Sequence, residues 1–183
     1  MSEDKIVRKC APTLAGLKIG NLFNCIGESG AGIRDDIRSV NRRLGAKGIR
    51  AVPVRRKDGS TLVYLYRPKM LEQYFEEPDV RALLEQFGYP EESPECCVSL
   101  LAQKLNREQD FPHEIGLFLG YPAEDVKGFI ENHSECSKCV GNWKVYGDVQ
   151  SAQKKFAAFR KCTEVYCREF RKGVSLEKLT VNR

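Results

Sequence analysis

"IRAVPVRRKDGSTLVYLYR", Ile49 to Arg67, places two β-rich runs either side of Asp58-Gly59. That dipeptide is a strong local signal for a hairpin turn, so the stretch reads as two antiparallel strands. Pro53 has no N–H to give a ladder, which puts its strand at a sheet edge or on a bulge. Pro68 ends the second strand, and Arg67 before it reads as a solvated strand end. The hairpin decides the class, because most of the remaining chain has helical spacing.

Upstream of the hairpin, Ile33, Ile37, Val40 and Leu44 recur at helical intervals, with charged residues on the other side. The mostly apolar "PTLAGLKIGNLFNCI", residues 12–26, predicts a second helix opened by Pro12, with Gly16 and Gly20 on one side for close packing. Downstream, helices are expected over about 69–76 and 78–87, the latter with Val80, Leu83, Leu84 and Phe87 inward and Gly88 as its cap. Ser93-Pro94 starts another, in which Cys97, Leu100, Leu101 and Leu105 share a face.

"FPHEIGLFLGYP", Phe111 to Pro122, reads as a short buried strand over about 114–119, followed by a turn into the helix "AEDVKGFIEN". Glu124 and Asp125 suit the positive end of that helix. "WKVYGD" reads as a further strand. Val149 to Lys172 forms one long helix, its apolar stripe alternating steps of three and four. The expectation is one α+β (mixed α/β) domain over residues 1–183, with four or five strands and six or seven helices. A small sheet containing the hairpin packs against several helices, and a long helix lies near the C-terminus.

A chain of 183 residues with 42% apolar and 30% charged content has the make-up of a soluble globular protein. No apolar stretch approaches the ~18 residues of a membrane span, and "MSEDKIVRKC" lacks a hydrophobic signal core, so a cytoplasmic protein is expected. With no export signal, the eight cysteines read as thiols. Nine Lys or Arg over residues 34–57 face only Asp35 and Asp36, while residues 72–95 carry eight acids against Arg81. No aromatic interleaving or nucleic-acid motif accompanies the basic stretch, so both read as solvated faces; neither nucleic acid nor a membrane is the expected partner.

"CAPTLAGLKIGNLF", "FPHEIGLFLGYPAEDVKGFIEN" and "CVGNWKVYGD" together resemble the hallmarks of a bacterial family known as a domain of unknown function. The resemblance spans nearly the whole chain and implies a single-domain cytosolic protein, with no established activity, ligand or catalytic residue. The family-like positions are Cys10 with Ala11 and Pro12, His113 with Glu114, Cys139 with Trp143 and Lys144, and Cys162. Where the family often has a histidine before its first cysteine, this chain has Lys9.

Three chemistries compete for these residues. In the first, the chain is a thiol-dependent enzyme of papain-like outline. Cys10, at the amino end of the first helix, would have its pKa lowered by the helix dipole, and His113 would act as base. The group orienting the histidine would be Asn142, Asp148 or Glu114, although Glu114 on a regular strand points to the other face. In the second, the loop "HSECSKC" supplies His133, Cys136 and Cys139 to zinc or an iron–sulfur cluster, with Cys162 or Cys10 as fourth ligand, or cycles as a dithiol. In the third, the chain is a non-catalytic interaction or regulatory protein. The partner expected in each case is a small molecule or peptide.

Overall fold

A computed structural model describes residues 1–26, 30–90, 93–107, 111–132 and 135–182. Helix α1 spans Glu3–Leu14, where Ser2 caps it by accepting from the Lys5 amide and Glu3 and Asp4 meet its positive end. It ends in a Schellman turn: the Leu17 amide donates to Pro12 O at 2.8 Å, the Gly16 amide to Thr13 O at 3.1 Å, and Gly16 takes φ 68°. Pro12 therefore stands in the last turn of a helix. The helix expected over residues 12–26 is in fact the end of α1, a glycine stop, and strand β1, Gly20–Ile26. Gly16 supplies the left-handed residue that closes the helix, and the segment after it finds strand partners.

Those partners are the hairpin. Helix α2, Gly30–Leu44, and a 3-10 turn at Gly45–Lys47 lead into β2, Arg50–Lys57, and β3, Ser60–Tyr66. Asp58 and Gly59 both take positive φ, 50° and 72°, as a two-residue turn that follows the sheet twist requires. The antiparallel order is β1-β3-β2, so Pro53 does lie on an edge strand, and the register shifts between Pro53 and Arg55. Central β3 is buried at every position after Ser60.

Burying both faces of β3 needs helices on both sides. On one side Val63 and Leu65 meet Ile6, Val7, Cys10 and Leu14 of α1, Ile33, Ile37, Val40 and Leu44 of α2, and Leu176 and Leu179 of α9, Leu176–Leu179. On the other, Leu62, Tyr64 and Tyr66 meet α3, Pro68–Phe75; α4, Pro78–Gln86; and α5, Pro94–Arg107. Leu117 and Phe118 of α6, Ile115–Phe118, and Val126 of α7, Ala123–Glu131, complete that core. A strand was expected over residues 114–119; α6 is a helical turn. A short apolar run has no periodicity to separate the two, and here its ends are bent by Pro112, whose carbonyl accepts from Ile115, and by Gly120 at φ 70°.

The "WKVYGD" strand is real but brief. Its β5, Lys144–Val145, pairs with β4, Cys139–Val140, and packs Trp143 and Val145 on Ala152 and Phe159 of α8, Val149–Arg171. Nine helices, two of them four residues long, are present among the described residues, and none is long and apolar enough to cross a membrane.

Arg67 is not a solvated strand end. Its side chain is 1% exposed and donates from Nε to Thr13 O at 2.6 Å, from Nη2 to Leu14 O at 2.7 Å and Val181 O at 2.9 Å, and from Nη1 to Lys47 O at 3.1 Å. The cation thus collects carbonyls at the negative end of α1, at the 3-10 turn and on the C-terminal tail. It fixes where the chain lies just before residue 18.

Candidate functional site

The residues singled out for thiol chemistry do not come together. Cys10 lies within the C-terminal half of α1, fully buried in the core beneath α1 and α2. Burial pushes its thiol pKa up, against smaller opposing effects of Lys18 and Lys9. The accessible thiol expected at a helix amino end is therefore a neutral, sealed one. His113 lies beyond the opposite face of the sheet, exposed, with its ring edge-on to Phe129 at 5.2 Å. Glu114 turns inward and accepts from Tyr89 Oη at 3.0 Å and Lys104 Nζ at 2.9 Å. Asp148 caps α8 by accepting from the Ser151 amide. Asn142, at the tip of the β4–β5 hairpin, accepts from Tyr121 Oη through its backbone carbonyl.

His133 lies outside the described residues. Cys136 is exposed, Cys139 half-buried at the hairpin, and Cys162 buried on α8 with its thiol pushed up to about 11 by burial. Among the described residues no three His, Cys, Asp or Glu side chains gather as a zinc or iron–sulfur ligand set.

What the fold does assemble is a basic pocket of about 550 Å³ between the end of α1, the start of β1, the hairpin tip and α8. Arg8, Lys9, Lys18, Arg160 and Arg171 line it, with Glu164 as the one carboxylate among the described residues of its wall. Arg8 is taken up by Asp4 at 2.7 Å, and Arg171 donates to Cys167 O at 3.2 Å. Lys9, Lys18 and Arg160 have no carboxylate partner among the described residues. Lys18 differs from the other four in being only 7% exposed. The Schellman turn carries it from α1 into the corner before β1, where its Nζ sits 5.3 Å from the centroid of the Tyr121 ring. Loss of water lowers its pKa to about 8, against a smaller opposing effect of the nearby Cys10 thiol. Beside it Asn21 accepts from Thr13 Oγ1 at 2.8 Å, which engages its carbonyl oxygen and leaves its N–H groups as the donors it can offer.

The same hairpin also lines an apolar pocket of about 340 Å³. Phe111, His113, Tyr121, Phe129 and Trp143 form its aromatic lining. Buried Asp125 holds it in shape: Oδ2 accepts from Trp143 Nε1 at 2.7 Å, and Oδ1 from the amides of Tyr146 at 2.7 Å and Gly147 at 2.8 Å. Asp125 was expected to serve the helix dipole; it also clamps the hairpin. Gly141 lets the tip approach α8, where a Cβ would stand 2.2 Å from the Phe156 ring.

Sequence reasoning missed Lys18, Asn21 and Arg160. The available signal was a single lysine between Leu17 and Ile19 in an otherwise apolar run, "LAGLKIGNLF". The chain belongs to the family described as "Protein of unknown function (DUF3793)", which it matches over residues 6–180. No curated protein and no solved structure matches it.

Proposed function

We propose that this family member is a cytoplasmic binding protein for a small molecule carrying a phosphate or carboxylate group, held in the basic pocket by Lys18, Lys9 and Arg160. The observation that carries the reading is Lys18. A lysine ammonium removed from water without a counter-charge destabilises the fold, and an anion entering beside it relieves that penalty. Charged side chains are seldom fully buried unless paired, and here the missing pair faces a pocket already positive on its rim. The rim cations draw an anion in, while Lys18 and the Asn21 amide supply donors at the buried end. Eight free thiols, two of them exposed, suit a reducing compartment.

Cys10, the nucleophile of the thiol-enzyme reading, is buried in the core, and binding at Lys18 needs no thiol. Calorimetric titration with inorganic phosphate tests the proposal. A charge-assisted hydrogen bond contributes about 1.5–3 kcal/mol, so Lys18→Met is expected to weaken phosphate binding about 10–100-fold. Arg160→Ala, on the rim, weakens it less and flattens its salt dependence. Equal affinity in wild type and Lys18→Met, or no phosphate binding at all, rejects the assignment.

A further inference from the structure

We propose that the ligand has two parts: the anionic group, which rests on the reading of the basic pocket above, and a planar aromatic group that enters the apolar pocket around Trp143. Tyr121 is the partition between the two. Trp143 stacks on its ring at 4.8 Å and 27°, and the Lys18 ammonium lies over the same ring at 5.3 Å. The aromatic floor and the anion-binding nitrogen are thus within about 10 Å of each other. A third opening lies at the hairpin tip. It shares Val140 and Gly141 with the apolar pocket, and Asn142 and Arg160 with the basic one.

The lining decides what the second part is. Its aromatic rings offer faces and edges to a flat ring, and the volume suits one or two fused rings rather than a long chain. Both oxygens of Asp125 are already engaged by the hairpin, so among the described residues its lining holds no free carboxylate to recruit a cation. An aromatic ring joined by a short polar linker to phosphate, as in a mononucleotide, meets both halves.

Trp143 is the only tryptophan in the chain and lines the pocket, so its fluorescence reports occupancy directly. The probes are AMP, adenosine and inorganic phosphate. AMP is expected to quench Trp143 and to bind at least about ten-fold tighter than either half alone. Lys18→Met removes that advantage and reduces AMP to the affinity of adenosine. Phe129→Ala weakens AMP but leaves phosphate binding, followed by calorimetry, at wild-type strength, which also shows that the variant is folded. If phosphate binds in a Lys18-dependent way while AMP binds no tighter and leaves Trp143 unquenched, the two-part ligand is wrong and the basic site stands. If neither phosphate nor AMP binds, both fall.

Discussion

Replacing Lys18 by methionine is expected to make the free protein more stable while weakening its affinity for anions about 10–100-fold. Burial lowers the Lys18 pKa from 10.5 to about 8. Between those values the unfolded chain holds a proton that the folded chain has lost, so stability rises with pH from about 8 to 10.5. Below about 8 the penalty is fully present, and the gap corresponds to about 3 kcal/mol against the fold at neutral pH. Methionine keeps an unbranched apolar stem and drops the charge. The variant also loses the ammonium over Tyr121, an interaction worth about 1 kcal/mol, so the net gain is about 2 kcal/mol. For a chain of this length each kcal/mol moves the unfolding midpoint by about 2–4 °C, which places Lys18→Met roughly 4–8 °C above wild type.

Circular dichroism melts on either side of the Lys18 pKa measure both the offset and its pH dependence. The offset should shrink as the pH rises toward 10.5. Saturating phosphate narrows it from the other direction, because a ligand at about a hundred times its wild-type Kd adds about 2.7 kcal/mol to wild type but only about 0.4–1.4 kcal/mol to a variant that binds it 10–100-fold more weakly. A Lys18→Met protein that melts lower than wild type, or that phosphate stabilises equally, refutes the reasoning. Lys18 would then be an ordinary structural lysine whose aliphatic stem matters more than its charge.

Arg67→Met should destabilise by about 3–5 kcal/mol in urea unfolding, since it strips donors from four carbonyls at the end of α1, the 3-10 turn and the tail; a loss below about 1 kcal/mol contradicts the hub assigned to it. Alkylation of the native protein, read by mass spectrometry, should label exposed Cys96 and Cys136 first and Cys10 only on unfolding; early labelling of Cys10 would restore a thiol reading. Glu177, held down to about 2 by its hydrogen bond from Arg43, contributes stability that is present above about pH 4.5 and lost as the pH falls toward 2. Glu177→Gln should therefore flatten the acid limb of the stability profile, and an unchanged limb would mean that the pair between α9 and α2 is inert.

Local chemistry wrote much of the architecture plainly. The Asp58-Gly59 turn, the edge position of Pro53, the periodicity of α2, α4, α5 and α8, and the proline start of α5 each depend on residues a few positions apart. The two misread segments share one feature. Residues 20–26 and 115–118 are short apolar runs whose conformation is decided by what they touch. Strand β1 exists because β3, some forty residues on, offers it a ladder from Gly20↔Tyr66 to Ile26↔Ser60. Helix α6 exists because its apolar side chains close one face of the core between two bends.

By itself, then, the sequence determined the class, a small hairpin-based sheet under helices, and most helix boundaries, because turn geometry and helical spacing are short-range effects. The pocket belonged to the tertiary structure. Its cations come from α1, the corner before β1 and α8, and no pattern along the chain joins residue 18 to residue 160. Nor does any residue type announce that a lysine will be buried without a counter-charge. Burial and pairing depend on the summed positions of distant elements, so the charge of Lys18 acquired its meaning only once α1, β1, Tyr121 and α8 had closed around it.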